Sequence, residues 1–501
     1  DPSRRDRMKL EERDGSNWPT PWIVEWQGMG EGLVATILDR AGDLPAAAEE
    51  YRRCLSVYDR LVGEGRGDLR ADQANARMNL GSVLGTQGGF EDAVVEFRRA
   101  LSIDEELLKE GREERRPLVA DNLVNLATAL VAQRRLPEAA ETYRRVIAEA
   151  ERIVQSGTPS FRRELIAACS NLAAILLQTG DPKSAEEAAR RAVEESEEDG
   201  GVGSSSETEA ELANAWLTIA AARDELSGAE EAIPAYRQGV ELRQRLVAAG
   251  REDLQVPLAA ARLALGHALR RQGALAESVD PLAQALETYA QQGHEPNVER
   301  ARARYYFAVA LEGLGRLEES AAQVYEAVQE FHALMEEGGQ DLVGELADAY
   351  LHLGVSLDGL SQYDDASKCY EQAIAIYREL IPLGRIELAP HLPLALYNLG
   401  NVLDALGRKQ EAEGAYRESI AKYDELIAAG APQLETERAL VHASLGNVLF
   451  DRDRKQEAIV AYESALAVWE PRLKTAASAD PGPGLVPEVA KARYNLGRVL
   501  D

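Results

Sequence analysis

The chain has 501 residues, 45% of them hydrophobic and 28% charged, and its 85 acidic against 56 basic side chains leave a formal net charge of −29. That length exceeds what one hydrophobic core supports, so the chain is either several domains or one elongated array, and its composition is that of a folded protein. The negative charge repels phosphate backbones and argues against nucleic acid as a direct partner, whereas basic segments of other proteins suit it.

Residues 1–19 are polar and charged and read as an N-terminal extension. They carry no visible secretory leader, and no apolar run in the chain approaches the length of a membrane span. The chain starts at Asp1 without an initiator Met, which leads us to expect a piece of something longer. Thr20-Pro21 predicts the start of the first helix, a capping residue followed by Pro at its first position. Trp18, Trp22 and Trp26 fall at i, i+4 and i+8 and make one aromatic stripe. It either caps the open end of the core or docks a missing domain or second subunit.

From there the chain repeats itself. Asn79-Leu80-Gly81-Ser82-Val83-Leu84 returns as Asn125-Leu126-Ala127-Thr128-Ala129-Leu130, as Asn171-Leu172-Ala173-Ala174-Ile175-Leu176, and again from Asn398 and Asn495. The small third residue serves as a ruler, standing at Ala35, Gly81, Ala127, Ala173, Ala220, Gly266, Ala308, Gly354, Gly400, Gly446 and Gly497. The steps are 46, 46, 46, 47, 46, 42, 46, 46, 46 and 51 residues. A second small residue follows each of the first ten after twelve positions, as at Ala93. An aromatic usually follows four later (Tyr51, Phe97, Tyr143, Tyr236, Tyr370, Tyr416, Tyr462), and three beyond that the residue is mostly small again.

These offsets are helical. Leu80, Gly81 and Leu84 share one side of a first helix, and Ala93, Phe97 and Ala100 form the stripe of a second. Small residues let the two backbones approach, and the aromatic fills the hollow beside them. Pro45, Pro137 and Pro182 mark the openings of second helices. The 42-residue step near 291–300 deletes about one helical turn. GVGSSSE at 201–207 reads as a loop, Pro471–Pro487 as a longer one, and the last unit stops at Asp501 after its first helix.

Paired helices with small-x-x-small spacing and an aromatic resemble the tetratricopeptide repeat, over residues 31–501. The unit here is about twelve residues longer than the usual one of about 34. Its Asn-Leu-Ala/Gly signature is similar to the kinesin-light-chain type of repeat. The resemblance implies an all-α fold: a right-handed superhelical α-solenoid of tandem antiparallel helix pairs, about ten repeats plus a terminal helix, spanning 20–501. It also implies that first helices line an inner surface which holds peptides or extended segments.

The residue two before each ruler residue projects near that surface. Asn79, Asn125 and Asn171 form a ladder there, continued by His352 and Asn398, while Asn401 and Asn447 stand one after the ruler residue. An amide offers donors and an acceptor, so it grips a guest backbone without demanding a particular side chain; equally, it can bridge neighbouring helices. Tyr305 and Tyr397, three before the ruler residue, suggest apolar anchors. None of the residues three before the ruler residue is Lys, so clamping of a C-terminal carboxylate is not expected.

Nothing points to chemistry. No GxxxxGK[ST], HExxH, GxSxG or GxGxxG stretch is present, and the six histidines show no metal-ligand spacing. The expectation is a non-enzymatic, cofactor-free and metal-free scaffold. Its partner would be a protein or peptide, a basic one suiting the charge, with neither nucleic acid nor membrane involved. Two alternatives are a sensor arm of a larger effector (protease, kinase or NTPase), fused or partnered, and a self-associating array. Cys54, Cys169 and Cys369 form no CxxC pair, which fits a reducing, cytoplasmic setting, and 47 Arg against 9 Lys hints at a bacterial, GC-rich genome.

Overall fold

A computed structural model of the chain describes residues 20–198, 205–293, 295–476 and 485–500. The 1–19 extension and Trp18 lie outside the described residues, as do the side chains of Trp22 and Trp26. Among the described residues there are 21 α-helices and no strand. Two compact units divide the chain, Asp1–Glu252 and Asp253–Asp501.

In the first unit the helices are α1 (Thr20–Arg40), α2 (Leu44–Gly63), α3 (Arg70–Thr86), α4 (Phe90–Lys109), α5 (Arg116–Ala132), α6 (Leu136–Gln155), α7 (Arg162–Gln178), α8 (Pro182–Glu198), α9 (Ser206–Ser227) and α10 (Ala229–Ala248). The second unit holds α11 (Gln255–Gln272), α12 (Leu275–Ala290), α13 (Val298–Gly313), α14 (Leu317–Glu336), α15 (Val343–Gly359), α16 (Tyr363–Leu380), α17 (His391–Ala405), α18 (Lys409–Ala428), α19 (Glu435–Asp451), α20 (Lys455–Ala476) and α21 (Leu485–Leu500). In each unit, odd-numbered first helices pair antiparallel with the even-numbered second helices that follow, and the pairs run in tandem. Second helices are amphipathic: α2 buries Ala47, Tyr51, Cys54, Leu55, Tyr58 and Leu61 along one stripe. First helices are wedged between neighbours, so their buried residues spread round the helix, as in α5 with Val119, Asn122, Leu123, Leu126 and Ala129.

The ruler residues mark the crossings. The Tyr416 ring lies on Gly400, where an added Cβ would stand 2.5 Å from its Cε1 carbon, and Phe97 covers Gly81 in the same way. Leu282 takes that place over Gly266. Gly497 is exposed with nothing within 4 Å of an added Cβ, because no second helix follows α21 among the described residues.

A second buried series escaped the sequence reading. Twenty-three residues past the ruler stand Tyr58, Tyr289, Phe331, Tyr377, Tyr423 and Trp469, none more than 5% exposed. They pack where one pair hands over to the next. There a glycine in the left-handed region, such as Gly65 (φ 100°) or Gly338 (φ 106°), ends the second helix, and a three-residue 3-10 turn follows. That turn closes with an inward side chain: Leu69, Leu342 and Leu388 are at most 7% exposed.

Two expectations need correction. The loop at the C-terminal end does not begin at Pro471, since α20 runs through that proline to Ala476, held by the buried Trp469 two residues before; α21 likewise starts before Pro487. The loop around 201–207 ends early, because the Ser205 hydroxyl accepts from Thr208 N–H and caps α9. Surface ion pairs also tie the repeats together, since several join second helices of successive pairs forty residues apart, as in Arg98–Glu138 (2.7 Å), Arg378–Glu418 (2.6 Å) and Arg417–Glu457 (2.9 Å). The shortened step near 291–300 holds: α12 has 16 residues where α14 has 20.

Candidate binding face

Within each unit the first helices lie side by side. The His267 ring of α11 stands 4.1 Å from Tyr306 of α13, Tyr305 of α13 stands 5.7 Å from His352 of α15, and Asn495 of α21 donates to Asn447 Oδ1 of α19 at 2.9 Å. This row of first helices is the face on which the candidate residues fall.

Asn125, Asn171 and Asn398 are half-buried, and their amides make no hydrogen bond within the described residues. Asn79 is different. It lines a cavity of about 490 Å³ with Met29, Leu33, Thr36, Tyr51 and Asn75. Burial raises the pKa of the Tyr51 phenol, and hydrogen bonds from Thr36 and Asn79 partly oppose that rise.

Asn401 and Asn447 are engaged within the fold. The Tyr416 hydroxyl donates to Asn401 Oδ1 at 2.7 Å and the Tyr462 hydroxyl to Asn447 Oδ1 at 2.7 Å. Thr36 meets the Tyr51 hydroxyl at 3.1 Å in the same register. In these three repeats the residue after the ruler therefore satisfies the hydroxyl of the aromatic sixteen residues past the ruler. Tyr462→Phe is expected to cost about 1 kcal/mol, the net worth of one such bond, seen as a lower urea midpoint with unchanged slope.

Tyr305 is only 8% exposed and packs in the core between α13, α14 and α15, so it is not a surface anchor; the small neighbours Ala301 and Ala308 on its own helix draw its ring inward. Tyr397 is half-buried, 6.1 Å from the Tyr416 ring. His352 pairs through Nδ1 with Glu312 Oε2 at 3.0 Å. The face thus brings the asparagines and His352 into one row per unit and leaves Tyr305 beneath it.

The sequence reading passed over a cluster around His267. Arg270 stacks 5.2 Å from the Tyr306 ring centroid, and Arg302 forks onto Glu345 with contacts of 2.7 and 2.8 Å. The signal was available: His267, Tyr306 and His352 share the register of the asparagine ladder or its neighbour, but a lone histidine carried no weight there. Among the described residues, no group of three or more His, Cys, Asp or Glu side chains could hold a metal ion, and no helix is long and apolar enough to cross a membrane.

Comparison with known proteins agrees with the repeat. The tetratricopeptide-repeat family matches residues 73–112, 165–198 and 351–426. No curated protein matches the chain. Solved structures similar to it include BtubC (BKLC) from P. vanneervenii, 23% identical over 48% of this chain and 87% of that one, with a TM-score of 0.36. A STAND protein with a tetratricopeptide repeat sensor from Pyrococcus horikoshii is 16% identical over 81% of this chain and 53% of that one, TM-score 0.45. Kinesin-light-chain repeats from Podosopora anserina are 17% identical over 44% of this chain and 98% of that one, TM-score 0.35.

Proposed function

On the premise that this chain is a tetratricopeptide-repeat protein, we propose that it is a non-catalytic interaction scaffold which holds an extended, basic segment of another protein along the row of first helices within a unit. One observation carries this reading: Asn125 and Asn171 in the first unit and Asn398 in the second hold the same register of the repeat, partly open to solvent, with no partner for their amides among the described residues. An amide with both donor and acceptor unengaged can pair with a guest backbone whatever its side chains, and regular spacing suits an extended guest. The net charge of −29 favours a basic guest and speeds its encounter. Three free thiols, of which Cys54 and Cys169 are buried, suit a reducing cytoplasm.

The test is panning of a random twelve-residue phage library on the whole chain, followed by anisotropy titration of the selected peptides. The triple variant Asn125→Ala, Asn171→Ala, Asn398→Ala is expected to bind them at least about tenfold more weakly, which is about 1.4 kcal/mol. Its thermal midpoint should stay within about 3 °C, because these amides hold no hydrogen bond among the described residues. Undiminished binding by the folded variant rules the ladder out.

A further inference from the structure

The turn from α16 to α17 departs from its counterparts. Pro382 has no N–H to bond the Arg378 carbonyl, so α16 stops at Leu380 and a 3-10 turn, Ile381–Leu383, follows. Leu383 and Ile386, on either side of Gly384, are each 75% exposed, more than any other large hydrophobic side chain among the described residues. Other pairs place charge there. Glu64, Glu110 and Glu337 stand in the register of Leu383, and Glu113 and Glu252 in that of Ile386.

Next to this protrusion opens a pocket of about 500 Å³. Its apolar wall is made by Ile381, Pro382, Leu392 and Leu426. Four charged side chains complete it, joined as Arg378–Glu418 at 2.6 Å and Lys422–Glu425 at 2.9 Å. Two cations and two anions thus leave the patch neutral, in a chain whose net charge is −29. Neither a basic nor an acidic partner is drawn to such a rim by charge. A second copy of the chain, repelled by the acidic surface elsewhere, meets no net repulsion here, and the basic groups of one rim can face the acidic groups of the other.

We propose that this patch joins two copies of the chain about a two-fold axis, with Leu383 and Ile386 of each copy entering the pocket of the other. A two-fold contact requires a surface that complements itself, and here an apolar knob and an apolar hollow share one patch with a rim of both signs. The volume lies in the range of sites that enclose a whole small ligand, so it admits either side chain. The contact is separate from the binding face: neither His352 nor Asn398 lines the pocket. A dimer made in this way holds two binding faces at once, which strengthens the hold on a guest that carries two copies of its segment.

Sedimentation equilibrium of the whole chain tests this. The average mass is expected to climb from that of one chain towards that of two between about 1 and about 200 μM, the range of a small contact. Leu383→Glu with Ile386→Glu installs side chains that other pairs carry in these places and should weaken the association at least about tenfold. Ala429→Trp, at an exposed position on the pocket wall, plugs the hollow and should do the same. The thermal midpoint of each variant, measured on the dilute monomer, should stay within about 3 °C. A native chain that remains a monomer throughout overturns the proposal, and so does a dimer that the double substitution leaves intact. A dimer lost on the double substitution but indifferent to Ala429→Trp overturns the insertion into the pocket. Hydrogen exchange on the native chain needs no variant to fold: it should slow at 378–386 and 422–429 as concentration rises, and a dimer without that slowing places the contact elsewhere.

Discussion

Asp104→Ala should lower the stability of the first unit by about 3–5 kcal/mol, whereas Asp104→Tyr combined with Arg115→Leu should leave it unchanged or raise it by about 1–4 kcal/mol. Asp104 is 2% exposed and Arg115 5%. Arg115 donates from Nε and Nη2 to Asp104 Oδ1 at 2.8 and 2.6 Å, and from Nη2 to Asn75 Oδ1 at 2.9 Å. Burial raises the Asp104 pKa, and the Arg115 hydrogen bond and charge oppose that rise. The pair replaces what other repeats place there. Asp104 stands in the register of Tyr377, and Arg115 in that of the inward Leu388; the Tyr377 hydroxyl donates to Asp348 at 2.7 Å, as a tyrosine at 104 could donate to Asn75. Removing one partner strands a charge in the core, while the double substitution installs the apolar solution the second unit already uses. Urea unfolding of the whole chain, with hydrogen exchange on α4 and α5 as a local readout, checks both values. A double variant less stable than Asp104→Ala would show that the ion pair is itself a net stabiliser.

The same pair explains what the sequence did not disclose. The ruler and the aromatic sixteen residues on were legible because at all eleven positions the ruler is never larger than Ala, and a ring lying on a Cα tolerates nothing more. The second series, twenty-three residues past the ruler, was missed because the first unit holds it only once. After Tyr58 it reads Asp104, Ala150, Ser196 and Arg243, so no common residue type runs through the chain. Helix ends were legible where Pro opened a second helix and misleading at Pro471, where packing of Trp469 outweighs the proline.

The candidate face was legible as a register and not as a set of free groups. Spacing alone places Asn401 beside the row of first helices, but it cannot say that Tyr416 already occupies its acceptor. It places Tyr305 next to Tyr306 in the chain but not on opposite sides of the packing, one buried in the core and one stacked on His267.

The second large effect is one of pH. His267 is half-buried against Tyr306, and its pKa is lowered to about 4 by burial first and then by the charges of Arg270, Arg271 and Arg302. The folded pKa lies below the unfolded value of about 6.5. Above pH 6.5 both states hold a neutral imidazole and the residue costs nothing. As pH falls from 6.5 towards 4 the unfolded chain takes up a proton that the folded chain refuses, so stability is lost progressively, by about 2–3 kcal/mol at pH 4 for a group still partly in contact with water. His267→Asn puts in that register the residue found at Asn401 and Asn447 and removes the titration. The difference in unfolding free energy between the native chain and His267→Asn should therefore be constant from pH 8 to 7 and shift in favour of the variant below about 6.5, while the other carboxylates and histidines cancel in the comparison. The measurement is urea unfolding of both chains at half-unit steps of pH. A difference that stays flat down to pH 4.5 would mean that the imidazole takes its proton in the folded state, which requires Tyr306 and the three arginines to stand further from it than the structure places them.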